Sequence, residues 1–271
     1  MRQKTYIITL AILAFLNACT KENLNTGMDN DIPVVEAYLE PGNEATVRLS
    51  KMRPFTEDEY SGSLIIDSAE VYINYEGMDY ICTPVNDEPG MYISLDSNLI
   101  IEAGGAYSLF FEYNDYTVTS STSVPSKPAN ADLSTSVYTV SQNGMGFIQD
   151  PLTVTWDNPG NTYHIIIVEY MESNYNPIRW NMDPDSYDQF RKISTEPVSG
   201  DSYNLDTRKH LLFYGSYQIH IYKVNEEYVN LHENISQNSL NLTEPLTNIE
   251  NGLGIFTGIN SVTLHLEVVN F

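Results

Sequence analysis

Short segments in which every second residue is apolar recur through this sequence, and that period of two restricts the chain to strands with one buried face. Val47 and Leu49 mark one such face, Val71, Ile73 and Tyr75 a second, and Tyr107, Leu109, Phe111 and Tyr113 a third. A later series follows: Leu152, Val154 and Trp156; the fully apolar "YHIIIV" from Tyr163; Tyr217, Ile219 and Ile221; and Val262, Leu264, Leu266 and Val268. Turn signals such as "EPGN", "NDEPG" and "EAGG" separate the early strands, and long helical periodicity is absent. Many short strands at this spacing predict β-sandwiches.

The expected architecture is all-β, with two sandwich modules at residues 32–125 and 126–271. The boundary falls in "SVPSKPANADLS", where two prolines and small polar residues interrupt the strand pattern. "GAYSLFF" at Gly105 and "GSYQIHI" at Gly215 repeat one pattern, in which a tyrosine entering a late strand is placed to tie its hydroxyl to a neighbouring corner. The modules are expected to be immunoglobulin-like. "LTVTWDNPGNTYHIIIVEY" resembles the early strands of a fibronectin type III domain, with Trp156 as the core indole.

The N-terminus reads as an address. Arg2 and Lys4 precede an apolar run from Tyr6 to Leu16, too short for the ~20 residues of a membrane-spanning helix but proportioned like a signal-peptide core. Leu16, Asn17, Ala18 and Cys19 resemble the lipobox of bacterial lipoprotein precursors, in which the cysteine thiol is acylated after cleavage. Residues 1–18 are then the signal peptide, Cys19 is the lipidation site, and the polar stretch 19–31 is a tether with too little apolar surface to order itself. Thr20 stands where inner-membrane lipoproteins of enteric bacteria carry aspartate, so residence at the outer membrane is expected, on its periplasmic face or at the cell surface.

Charge excludes several partners. The formal net charge is −23, from 13 basic and 36 acidic residues, which repels nucleic acid and anionic headgroups. With Cys19 acylated, Cys82 has no partner for a disulfide, and "DYICTPV" reads as a strand with that thiol buried.

No catalytic signature is present: there is no G-x-S-x-G elbow, H-E-x-x-H helix, C-x-x-C pair or Walker loop, and no cofactor is expected. The five histidines are scattered. "DPDSYD" from Asp183 has the look of a calcium loop, but Tyr187 stands where a third oxygen ligand belongs and the glycine is missing, so no metal is expected. "DSA" at Asp67 matches a short bacterial glycosylation pattern that also arises by chance. Two short helices are expected: one at Asp183, capped by that residue with Pro184 at its first position, the other in "NEEYVNLHENISQN", with Tyr228, Leu231 and Ile235 on one face. The candidate working surface is the insertion from Met171 to Lys192 and the strand end before it, where Tyr170, Tyr175, Trp180, Tyr187 and Phe190 accompany Asn174, Asn176, Asn181 and Asp183. Aromatic platforms beside amides suit a glycan or peptide ligand; the same rings could instead close the open end of the second sandwich.

From "YQIHIYKV" through "EEYVNLHENI" and "TEP" to "TNIENGLGIFTG", the C-terminal half resembles an uncharacterised family of Bacteroidota lipoproteins known only as a domain of unknown function. "IPVVEAYLEPGNEATVRLSKMRPF" and "YTVTSSTSVPSKP" resemble its first module. Members are often encoded beside TonB-dependent outer-membrane receptors, and the resemblance implies a non-catalytic binding or assembly component of nutrient uptake. A hydrolase of surface glycans or peptides and an adhesin are the competing classes. Gly252, Gly254 and Gly258 are read as sites of positive φ or close backbone approach, since a phosphate loop would need a following helix.

Overall fold

A computed structural model describes residues 31–52, 64–140, 151–179, 181–237 and 246–270. Residues 1–30, with the expected signal peptide, Cys19 and nearly all of the expected tether, lie outside the described residues, as does Trp180. The chain is all-β and sandwich-like, built on a twelve-stranded mixed sheet and a three-stranded sheet.

The first module contains β1 (Pro33–Leu39), β2 (Thr46–Lys51), β3 (Val71–Tyr75), β4 (Met78–Pro84), β5 (Met91–Ile93), β6 (Ala106–Tyr113) and β7 (Tyr116–Ser123). Their order is β1-β2-β5-β4-β3-β6-β7. β4 turns the corner between two layers, for Met78–Cys82 pair with β3 while Thr83 and Pro84 pair with β5. The alternation read from sequence sets the core: Val35, Val47, Leu49 and Tyr92 from one layer meet Val71, Ile73, Leu109, Phe111 and Val118 from the other. Cys82 is buried among them, and desolvation pushes its thiol up to about 12, so it stays protonated.

The second module contains β8 (Ala129–Leu133), β9 (Val137–Val140), β10 (Leu152–Asp157), β11 (Tyr163–Tyr170), β12 (Lys192–Ser194), β13 (Ser202–Leu205), β14 (Gly215–Val224) and β15 (Leu253–Asn270), with helices α1 (Thr207–His210) and α2 (Glu226–Gln237). The small sheet β13-β10-β8 supplies Leu152, Val154 and Trp156 to a core completed by Ile166, Val168, Ile219, Ile221, Leu266 and Val268. "YHIIIV" is apolar throughout because both its faces are covered: Ile166 and Val168 face that core, while Ile165 packs with Val224 and Val229 under α2. β8 lies inside the stretch expected to be a linker; its residues are mostly exposed, so no buried alternation marks it.

β15 joins the modules. Its first part pairs parallel with β1, from Leu253 opposite Val34 to Gly258 opposite Leu39, and from Ile259 onward it pairs antiparallel with β14. The first core consequently takes Ile249 and Phe256 from the far end of the chain, and a cut at residue 125 does not isolate it. The glycines of "NGLGIF" permit this. Gly254 has φ +103°, and a Cβ there would lie 1.9 Å from the Val35 carbonyl oxygen; at Gly258 it would lie 2.4 Å from that of Ser123. Asn248 bonds both backbone groups of Phe256 through its amide, and Thr119 and Glu250 exchange backbone bonds, so "NIENGLGIF" stitches β7, β1 and β15 together.

α2 reinforces the seam. Asn225, the residue before this helix, accepts at its carbonyl from the Tyr228 and Val229 amides, and its side-chain amide donates across the modules to the Ser123 carbonyl at 2.8 Å and to Thr122 Oγ1 at 3.2 Å. The carboxylate of Glu227 accepts from Thr122 and Thr257. Among the described side chains of the helix Val229 is buried, with Tyr228 beside it, while Leu231 is half-buried; the Ile235 side chain lies outside the described ones.

Candidate functional site

The insertion after β11 leaves the sheet at Tyr170 and returns at Lys192. Asp183 accepts from the Asp185 amide at 3.1 Å and starts a 3-10 turn at Pro184–Ser186; a second turn follows at Asp188–Phe190. The expected helix is thus two 3-10 turns; within "DPDSYD" Asp183 caps the first, and the second has no side-chain cap.

Tyr170, Tyr175 and Tyr187 converge on Phe213, with ring centroids 5.0, 4.9 and 5.3 Å from it. Tyr170 is 1% exposed, and its hydroxyl lies 3.0 Å from the carbonyl oxygens of both Asn174 and Tyr214. It packs in the second core and stands at the floor of a polar cleft. Tyr175 donates to Asp188 at 2.5 Å, accepts from Arg191 Nε at 2.9 Å and carries the Arg191 guanidinium 4.9 Å from its ring centre. The Asp188 carboxylate, and then desolvation, raise its pKa. Arg191 also donates to the carbonyls of Tyr170 and Glu172, which makes it the clasp of the insertion. Neither Arg191 nor Phe213 stood out in the sequence, because their role depends on contacts across the fold.

Phe190 faces elsewhere. It lines an open groove of about 720 Å³ whose apolar wall is Met182, Phe190, Ile193 and Leu212 and whose cations are Arg179, Lys192, Arg208 and Lys209. Asn174 and Asn176 lie on the other flank, in a polar cleft of about 520 Å³ with Glu172 and Glu267. Both carboxylates there are engaged by Ser216, through its amide at 3.4 Å and its hydroxyl at 2.8 Å. Of the rings and amides that adjoin in sequence, Tyr170 stands beside Asn174 and Asn176 at the polar cleft, while Phe190 lines the cationic groove.

Among the described residues no group of three or more histidine, cysteine or acidic side chains could hold a metal ion. Asp67 is exposed in the loop before β3. His220 bonds Thr263 across the strands at 2.9 Å, and His232 bonds Glu196, tying α2 to the loop beyond β12. His164 is fully buried beside Trp156, and desolvation pulls its pKa down to about 4, so the imidazole is neutral.

A family model for the domain of unknown function DUF4249 matches residues 21–265. The chain belongs to this family. No curated protein matches the chain. The DUF4249 match spans both modules, including the β15 crossing, the insertion and the groove. Among the described residues no helix is long and apolar enough to cross a membrane.

Proposed function

We propose that this DUF4249 chain is an outer-membrane lipoprotein, held at the periplasmic face or the cell surface, that serves without catalysis as a binding or assembly component beside a TonB-dependent receptor in nutrient uptake. The observation that carries the reading is the N-terminal sequence: a short apolar core ending at Cys19 in lipobox context, then Thr20 and a polar tether. A body that follows such a tether is presented to neighbours at a membrane, and a stitched pair of sandwich-like modules with a groove at one insertion suits that use. Bacteroidota membership and the receptor as partner belong to this proposal and rest on the resemblance drawn from sequence.

The test is affinity purification of the native protein from detergent-solubilised outer membranes, beside a Cys19→Ser variant. The expected result is a processed, acylated chain that co-elutes with a TonB-dependent receptor, and a variant that is released or left as precursor. Normal fractionation and processing of Cys19→Ser would refute the anchor. Recovery of the native chain with no receptor would refute the association.

A further inference from the structure

We propose that the edge of β12 takes up an extended acidic peptide segment of a partner protein, which adds to the sheet as a further strand and fills the cationic groove. This deepens the binding role proposed above by naming the chemistry of the partner, and it rests on that reading for a partner to be there.

Among the described residues β12 ends the large sheet and pairs on one side only, Lys192 with Glu169, Ile193 with Val168 and Ser194 with Ile167. The Tyr170 amide bonds the Arg191 carbonyl at 2.8 Å, and the Thr195 amide bonds the Ile166 carbonyl at 3.0 Å. By the alternation of an antiparallel ladder, Ile193 then faces β11 with its backbone groups, while those of Lys192 and Ser194 face outward. All three consecutive residues line the groove. Since successive side chains on a strand point to opposite faces, a cavity that touches all three runs along the strand's edge.

The electrostatics select the occupant. Of 13 lysines and arginines in a chain of net charge −23, four surround this groove. Lys192 lies 3.5 Å from Glu169 and Lys209 lies 3.9 Å from Asp206, while Arg179 and Arg208 have no carboxylate partner among the described residues. A lysine on an open edge normally guards against indiscriminate strand pairing; an acidic strand converts that guard into recognition. Main-chain bonds to Lys192 and Ser194 would supply affinity, and alternate side chains would reach the apolar wall and the cations.

The experiment measures binding of a short fluorescent peptide of alternating glutamate and threonine to the full lipoprotein purified in detergent. Saturable binding is expected that weakens with salt, is absent for the lysine–threonine counterpart, and falls by about tenfold or more in the Arg179→Glu/Arg208→Glu variant. Ser194→Pro removes an outward amide at an edge where proline is tolerated, and it should abolish binding while the chain stays folded. A glutamate–threonine peptide methylated on alternate backbone amides, used with the unaltered protein, should also fail to bind. No saturable binding of the acidic peptide, equal binding of the basic one, undiminished binding of the methylated one, or equal binding of an acidic polysaccharide would each overturn the proposal. None of these outcomes depends on a receptor, so they are independent of the co-purification that tests the membrane role.

Discussion

The hydroxyl of Tyr217 donates to the carbonyl of Phe213 at 2.9 Å and accepts from the amide of the same residue at 2.9 Å. One side chain thereby closes both backbone groups of a residue that is itself fully buried. In the first module the Tyr107 hydroxyl bridges two residues instead, donating to the carbonyl of Ile100 and accepting from the amide of Glu102. At Gly105 a Cβ would lie 2.7 Å from the Tyr107 hydroxyl, so the glycine before each tyrosine in the repeated pattern has a steric cause in the first module.

Tyr217→Phe keeps the ring and leaves a buried amide and carbonyl without a partner. The expected loss is about 1–3 kcal/mol, read from urea unfolding against the native chain. A midpoint unchanged by the substitution would show that solvent reaches the Phe213 backbone.

Gly254→Ala should be far more damaging. Its Cβ would lie 1.9 Å from the carbonyl oxygen of Val35, at a φ of +103° that side chains rarely adopt. A loss on the order of 3 kcal/mol or more is expected, or failure to fold, measured by thermal unfolding and yield. Gly252→Ala meets its nearest neighbours at 3.0 and 3.1 Å and should be the milder of the two. Equal behaviour would place the strain elsewhere in the β1–β15 contact.

Trp156 is 3% exposed in the second core. Trp156→Ala should cost about 3–5 kcal/mol by the large-to-small rule, visible in chemical denaturation. A change within error would mean that this face of β10 does not pack as described.

His164 makes stability depend on pH in a stated direction. Its folded pKa is about 4 against an ordinary 6.5, so the unfolded chain binds a proton that the folded chain refuses. The contribution is fully present above pH 6.5 and is lost as pH falls through 4, at up to about 1.4 kcal/mol per pH unit and about 3 kcal/mol in all. His164→Asn should flatten that part of the profile. Asp31, held down to about 2 by hydrogen bonds from Lys51, Tyr113 and Asn114, loses its contribution as pH falls from its ordinary 3.8 through 2, and it is common to both chains, so the difference between them isolates His164. The measurement is unfolding free energy from pH 7 to pH 4 for both chains; parallel curves would remove His164 as the cause.

The two cores were legible in the chain itself, because burial on one face of a strand imposes a period of two. Val71 and Ile73, Tyr107, Leu109 and Phe111, and Leu152, Val154 and Trp156 all face inward as their spacing requires. The glycines of "NGLGIF" could likewise be read as points of close approach, since few other roles need a missing side chain. Local pattern carries no record of a distant neighbour, however, and the remaining features depend on one. Asn225 stands before α2 by sequence, but its side-chain bond to Ser123 exists only because β15 brings the other module within reach of its amide. Tyr170 looked like a ligand platform and became core, because Phe213, Tyr214 and Tyr217 arrive from a later part of the chain to cover it. The cationic groove assembles Arg179, Lys192 and Arg208 from three separate segments of an acidic sequence, where each reads only as an isolated charge. Periodicity and side-chain size settle which face of a strand is buried, but only closure of the sheets settles which residues then meet.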